Sequence, residues 1–178
     1  AQDCSEGLPR VHLNALVRDC DGALWVGTYG GGLVRLKNGQ RATFGLADGL
    51  RSDLVRTLCL DADDELWIGT EGGGLSRLKA GLIFSLGKEH GLPDETILQI
   101  LDDGLGGLWL GSHRGIFQVS RQELEALAAG TVDASTAGHK NTFIRVSTGP
   151  EGAESYWTGA GWTGAAATWN TVLPANTW

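Results

Sequence analysis

The chain has 178 residues, a hydrophobic fraction of 42% and a net charge of −7, values that indicate a globular domain with a core of its own. The acidic balance and the scattered basic residues argue against nucleic acid or an anionic membrane surface as the main partner, because both need basic patches. No apolar stretch approaches the roughly 18–20 residues that span a bilayer. The sequence contains no Met, so we expect a processed or partial chain.

Three tryptophans, Trp25, Trp67 and Trp109, lie 42 residues apart, in LWVG, LWIG and LWLG cores. A fixed period of this size indicates a repeat architecture. The same spacing relates further sets of residues: Gly7, Gly49 and Gly91; Asp19, Asp61 and Asp103; and Gly27, Gly69 and Gly111. We therefore expect three repeats within residues 1–119, at about 5–46, 47–88 and 89–119.

The second repeat shows most clearly what each unit contains. Short apolar or alternating segments at 54–60, 66–70, 75–78 and 82–86 are separated by turns rich in Asp and Gly, which is typical of four short antiparallel strands. No helical pattern separates these strands, so parallel β-α-β units and helical solenoids are excluded. Four strands in about 42 residues, with Trp in the second strand, predict a β-propeller blade. We expect each Trp to pack between neighbouring blades.

The third repeat departs from this pattern. Its turn after the Trp strand shortens to 113–115, and a capping box formed by Ser120 and Glu123 predicts a helix over 120–130 that replaces or precedes the outer strand. Residues 131–178 are rich in Gly, Ala, Thr and Trp without hydrophobic periodicity. They are interpreted as a divergent partial blade, a poorly ordered end or an aromatic ligand-binding segment. The expected fold is thus all-β, a partial propeller of about three four-stranded blades with a short helix and an irregular C-terminal tail.

The repeated string LWxGTxGGGLxRL, nearly intact at 24–36 and 66–78 and degraded at 108–119, resembles the two-component regulator propeller repeat. The resemblance implies the periplasmic, ligand-sensing region of a hybrid histidine kinase-like protein, with about seven blades and a kinase or cyclase output outside this chain. By family habit it also implies carbohydrate as the ligand class.

The sequence predicts no catalytic, metal or cofactor site. Ser112 and His113 are adjacent but lack a third group that would orient the His. The glycine runs at 30–32 and 72–74 lack the following Lys of a phosphate loop, and the acidic turns lack the closing Glu of a calcium loop. The three cysteines have no CxxC spacing and are expected to be unpaired thiols, of unassigned redox state: Cys4, Cys20 and Cys59.

Variable residues within the constant frame are the best candidates for recognition. Alternating strand direction places the turn between the second and third strands on the same face as the inter-blade loop, and loops on a rigid scaffold commonly bind ligands. Equivalent positions there differ between repeats, unlike the structural Trp and Gly positions. The candidates are Tyr29, Glu71, His113 and Arg114 in the turns, and Arg10, Arg51, Asp53, Asp94 and Glu95 in the loops.

These observations predict a non-catalytic sensing or binding propeller. Two alternatives stay open: a propeller enzyme similar to streptogramin lyase, which also carries a DG-x-LW unit, and a protein-interaction scaffold. Because propellers close with about 4–8 blades, three blades predict further blades or self-association. The expected partners are thus a small molecule or oligosaccharide and other blades.

Overall fold

The computed structural model describes residues 11–128 and three short strands further along the chain. The predictions for Cys4, Arg10 and most of residues 131–178 lie outside the described residues.

Blade 1 contains β1 (His12–Arg18), β2 (Leu24–Tyr29), β3 (Leu33–Lys37) and β4 (Gln40–Phe44). Blade 2 contains β5 (Val55–Leu60), β6 (Leu66–Thr70), β7 (Leu75–Lys79) and β8 (Leu82–Leu86). Blade 3 contains β9 (Ile97–Asp102), β10 (Gly107–Ser112) and β11 (Gly115–Ser120), followed by helix α1 (Arg121–Ala128).

Each blade is an antiparallel meander in which strands pair in chain order. The first strands of the three blades, β1, β5 and β9, are neighbours in space, which makes them the inner strands of an arc. Single 3₁₀ turns at Leu46–Asp48 and Lys88–His90 lie in the inter-blade loops. The predicted all-β partial propeller is confirmed.

Blade 3 differs from the other two because its sheet has three strands. The chain leaves β11 and forms α1, which packs beside that strand and buries Leu124 in the core shared with Val119. The predicted helix thus follows β11 directly, at the place in the chain where blades 1 and 2 continue into their outer strand. Beyond it, β12 (Phe143–Arg145), β13 (Ser155–Trp157) and β14 (Trp162–Thr163) form a separate antiparallel sheet, with β12 near β11.

Two apolar cores lie between adjacent blades. Trp25 is 8% exposed and packs with blade-2 residues that include Val55 and Leu58. Trp67 is 1% exposed and packs with blade-3 residues that include Ile97 and Ile100. The expectation that these two rings pack between blades is therefore confirmed.

In blades 1 and 2 the aspartate that recurs with the tryptophan holds the indole in place. The Trp25 Nε1–H donates to Asp19 Oδ2 at 2.9 Å, and the Trp67 Nε1–H donates to Asp61 Oδ2 at 2.8 Å. The other carboxylate oxygen of Asp61 accepts the backbone N–H of Glu65 at 3.0 Å, which closes the hairpin turn. One side chain thus fixes both the turn and the buried polar atom of the ring, which satisfies a donor that would be costly to leave unpaired.

The arginine of the repeated string covers the same rings. The Arg35 guanidinium lies 5.4 Å from the Trp25 centroid, and the Arg77 guanidinium lies 5.9 Å from the Trp67 centroid. Each Arg is the cross-strand neighbour of its Trp, so both pairs are cation–π contacts set by strand register. In blade 3 the equivalent residue is Gln118, which donates to Asp103 at 3.1 Å.

Helix α1 is tied to blade 2 by charge as well as by Leu124. The Arg121 guanidinium lies 3.1 Å from Asp61 Oδ2, and Glu125 lies 3.7 Å from Arg77. Burial alone would raise the pKa of Asp61, but hydrogen bonds from Trp67, from the Glu65 backbone and from Arg121 together lower that pKa below its usual 3.8. The carboxylate of Asp61 therefore joins turn, ring and helix as an anion.

The glycine turns differ in how much space surrounds them. Gly72 and Gly74 have nearly the same positive φ, 76° and 77°. A Cβ at Gly72 would meet nothing within 4 Å, whereas one at Gly74 would lie 2.1 Å from the Leu86 carbonyl oxygen. Gly74 is thus required by both backbone angle and close approach.

We expect Gly74→Ala to destabilise the chain by about 1–3 kcal/mol more than Gly72→Ala, because only the former overpacks the turn. Gly72→Ala itself is expected to cost about 1–2 kcal/mol for the left-handed backbone. Urea unfolding followed by tryptophan fluorescence measures both. Equal losses of stability for the two substitutions would show that the β8 backbone at Leu86 shifts to make room for the added Cβ.

Two cysteines of the described residues, Cys20 and Cys59, are free thiols. Burial raises the pKa of the Cys59 thiol, which keeps it protonated and unreactive at neutral pH. Among the described helices, none has the length and apolar character that crossing a membrane requires.

Candidate ligand-binding face

The turn between the second and third strands of one blade contacts the inter-blade loop that leads into the next blade. The N–H groups of Gly30 and Gly32 both donate to the Asp53 carbonyl at 3.0 Å, and the Gly74 N–H donates to the Glu95 carbonyl at 2.8 Å. Turn and loop therefore lie on one face of the arc, as strand direction predicts. We call this surface, built from turns 29–32 and 71–74 and loops 51–54 and 93–96, the loop face.

Tyr29, Arg56 and Glu71 form a cluster on the loop face between blades 1 and 2. Arg56 donates to Glu71 Oε2 from Nε at 2.8 Å and lies 2.6 Å from it through Nη2. Its guanidinium also lies 5.1 Å from the Tyr29 ring centroid. The Arg56 and Glu71 side chains are about one-third exposed, at 35% and 33%. Groups of both charges and an aromatic ring are thus held together within reach of solvent.

Arg56 reaches this cluster because it is a bulge residue. The register of β5 against β6 shifts between Val55 and Thr57, which leaves Arg56 unpaired. Such bulges re-aim a side chain. The same shift occurs at the equivalent positions in the other blades, 42 residues before and after: Asn14 in β1 and Leu98 in β9.

The sequence interpretation missed these three bulge positions, although their signal was present. Asn14, Arg56 and Leu98 share the repeat period yet differ in type, the same criterion that selected the turn residues. Asn14 donates to the Val55 carbonyl at 2.9 Å and so joins two inner strands. Arg56 is the member that contacts predicted site residues.

A second charged cluster joins the loop between blades 1 and 2 to the loop between blades 2 and 3. Arg51 pairs with Glu89 and lies 3.5 Å from Glu95, which in turn lies 3.5 Å from Lys88. Burial, followed by the charge of Arg51, lowers the pKa of His90. His90 is therefore neutral at pH 7 and adds no charge to this cluster.

Other predicted site residues have local structural contacts or stand apart. Asp53 accepts the Leu46 N–H at 3.2 Å, and Asp94 accepts the Thr96 N–H at 3.2 Å. His113 and Arg114 are exposed in the β10–β11 turn. No ion pair or side-chain hydrogen bond of the described part of the chain links them to the two clusters. Of the predicted site residues, the structure thus brings Tyr29 close to Glu71, through Arg56, and Arg51 close to Glu95.

The ion pairs of the loop face are weak enough to be exchanged. Half-exposed pairs between long side chains contribute about 0–1 kcal/mol each. A ligand that offers hydroxyl groups can therefore replace part of such a contact at small cost. Within residues 11–128, no group of three or more His, Cys, Asp or Glu side chains is placed to hold a metal ion.

The blades, their inter-blade tryptophans and the loop face together define an arc of a β-propeller. Residues 49–72 match the family model described as two component regulator propeller. The match covers the end of the loop before β5, strands β5 and β6, and the start of the turn that contains Glu71. The resemblance drawn from the repeated string is thus confirmed in blade 2.

Solved structures give the same fold. The chain is similar to the extracellular domain of a protein described as a hybrid two component system of B. thetaiotaomicron, with a TM-score of 0.57 and 20% identity, over 90% of this chain and 22% of that one. An extracellular domain of a protein described as a one component system of the same bacterium gives a TM-score of 0.57 and 22% identity, over 82% of this chain and 22% of that one. The chain therefore spans about a fifth of the length of these structures.

An enzyme shares the fold at lower similarity. Virginiamycin B lyase of Staphylococcus aureus gives a TM-score of 0.51 and 17% identity, over 84% of this chain and 50% of that one. At this identity the likeness shows the propeller fold alone. No curated protein sequence is significantly similar to the chain.

Proposed function

We propose that this chain is a ligand-sensing propeller segment of an extracytoplasmic signalling protein, which acts by binding and not by catalysis. The observation that carries the proposal is the cluster of Tyr29, Arg56 and Glu71. An aromatic ring, a cation and an anion from two adjacent blades meet there at a bulge, in positions exempt from blade packing. The extracellular domains of the two-component and one-component systems that share this fold support the assignment to signalling outside the cytoplasm.

Carbohydrate is the ligand class that this cluster fits best. A sugar offers hydroxyl groups, which donate and accept, so that both Arg56 and Glu71 gain partners. Its apolar ring face can lie against the exposed part of the Tyr29 ring, as apolar contact surfaces with a few fixed polar groups are typical of ligand sites. Because the ion pair is internally neutral, a neutral ligand leaves no buried unpaired charge.

Calorimetric titration of a panel of neutral and acidic oligosaccharides tests the proposal. We expect at least one sugar to bind, and Arg56→Gln to weaken that binding about 10- to 100-fold, since a hydrogen bond to a charged group contributes about 1.5–3 kcal/mol. Arg41→Gln is the matched control, because Arg41 is an exposed arginine on the outer strand β4. It should leave the affinity unchanged.

Other outcomes identify the alternatives. Absence of heat from every sugar would contradict ligand sensing and favour a protein-interaction scaffold. Equal weakening by Arg56→Gln and Arg41→Gln would place binding away from the loop face. Conversion of a macrolactone antibiotic in the presence of a divalent metal would overturn the non-catalytic assignment.

A further inference from the structure

Three consecutive backbone carbonyls, at 53–55, connect the segments that hold the proposed ligand cluster of Tyr29, Arg56 and Glu71. The first carbonyl accepts two N–H groups of the turn that follows Tyr29, and the second accepts the N–H of Glu71 at 2.9 Å. The third accepts the side-chain amide of Asn14 at 2.9 Å. Segments of blades 1 and 2 are thus held by one short stretch of backbone directly before Arg56.

Of these contacts, that of Asn14 is the one that depends on a side chain, since the others use backbone N–H groups. The Val55 carbonyl that Asn14 binds belongs to the same planar peptide group as the backbone nitrogen of Arg56. Val55 is 0% exposed, so water does not compete for this carbonyl. The Asn14 amide therefore fixes the peptide plane from which the Arg56 residue departs.

This contact matters because the strand ladder does not hold Arg56. It is the bulge residue of β5 and has no partner in β6. A bulge leaves its extra residue unpaired and disrupts the ladder locally. The peptide group before Arg56 is instead held from the neighbouring inner strand, where Asn14 is itself the bulge residue.

The other two bulge residues do not repeat this contact. Arg56 holds the same position in blade 2, and its guanidinium contacts Glu71. Leu98 holds it in blade 3, and its side chain has no hydrogen-bonding group. Within residues 11–128, a bulge side chain thus binds the next bulge only between blades 1 and 2, where the ligand cluster lies.

We propose that Asn14 is a positioning residue for the ligand cluster. Its amide holds the Val55–Arg56 peptide so that the Arg56 guanidinium reaches both the Tyr29 ring and the Glu71 carboxylate. The inference rests on the proposed function of this cluster and adds to it a residue of the first blade. The alignment of the site then depends on the inner-strand contact between two blades.

The side-chain Nε proton of Arg56 reports this positioning without any ligand, because it is donated to Glu71 at 2.8 Å. Its exchange with water is measured by ¹⁵N–¹H NMR, and the signal is assigned by its loss in Arg56→Gln. We expect Asn14→Ala and Asn14→Leu each to speed this exchange about 3- to 10-fold, the size of one hydrogen bond between neutral groups. Leucine is compatible with the bulge, since Leu98 holds the same position in blade 3.

Ser85→Ala is the matched control. It also removes a side-chain hydrogen bond to a backbone carbonyl, that of Gly49 at 2.8 Å, but away from the carbonyls at 53–55. It should leave the exchange of the Arg56 proton unchanged. Unchanged exchange in both Asn14 variants would overturn the proposal, and so would an equal increase in Ser85→Ala, which would mean that general loosening of the fold moves Arg56.

Calorimetry adds the readout for binding, with the oligosaccharide of the panel that binds most tightly. Asn14→Leu should weaken that binding about 3- to 10-fold, and Ser85→Ala should not. Unchanged affinity in Asn14→Leu, beside the loss expected for Arg56→Gln, would overturn the positioning role. Absence of binding by every sugar would contradict the proposed function instead, and the proton exchange of Arg56 would still decide whether Asn14 positions it.

Discussion

Trp67→Ala should lower the free energy of unfolding by about 3–5 kcal/mol, the range for removal of large buried aromatics. The ring is 1% exposed and lies in the core between blades 2 and 3. Its loss would leave a cavity between two blades and remove the aromatic ring over which the Arg77 guanidinium lies. Urea unfolding followed by circular dichroism measures the change.

Trp109→Ala is the matched control, because Trp109 holds the same place in blade 3 but is half-buried. Both substitutions are made singly in the otherwise unaltered chain. There we expect Trp109→Ala to cost about 1 kcal/mol, the usual size of a single substitution. Similar losses for the two tryptophans would show that burial between blades is not what makes Trp67 important.

Asp61→Ala is expected to cost about 2–4 kcal/mol, because it leaves a buried donor without a partner and removes a turn cap. The change leaves the buried Nε1–H of Trp67 without its acceptor and the N–H of Glu65 without its cap. It also removes the carboxylate that Arg121 contacts at 3.1 Å, so α1 should detach more readily. Thermal or urea unfolding gives the loss in stability, and hydrogen exchange in 121–128 reports the helix.

Asp103→Ala is the comparison, because this carboxylate caps the Gly107 N–H and accepts from Gln118 in the less buried blade 3. About 1 kcal/mol is expected there, as for a typical lost cap. The Asp61 effect should also depend on pH. Because its folded-state pKa lies below the usual 3.8, its stabilisation is complete above that value and is lost as pH falls through the folded-state pKa. A gap between Asp61→Ala and the unaltered chain that stayed constant down to about pH 2 would contradict this assignment.

The sequence predicts the blades because their determinants are local and repeated. Strand segments such as 66–70 and 82–86 coincide with β6 and β8, since turns rich in Asp and Gly delimit them on both sides. The capping residues Ser120 and Glu123 are equally local, and α1 begins directly after Ser120. The period itself places Trp25 and Trp67 between blades, which the structure confirms.

Other features depend on contacts between segments that the sequence pattern does not relate. The role of Asp61 as acceptor for the Trp67 indole depends on how a turn folds back over its own strand. Arg121, outside the repeats, reaches the same carboxylate across a blade boundary. The bulge that aims Arg56 at Tyr29 is a shift of register, which residue types alone do not specify. The predicted binding roles of the loop-face residues stay predictions.

The register shift at Asn14, Arg56 and Leu98 has a consequence for how such a protein diversifies. In each blade the bulge releases one inner-strand side chain from cross-strand pairing, while the rest of the unit maintains the architecture. Exchanging that one residue, as at Arg56, changes the groups that the loop face can present to a ligand, and the surrounding strands keep their register. Ligand specificity can therefore change one blade at a time, and each change has little effect on folding stability.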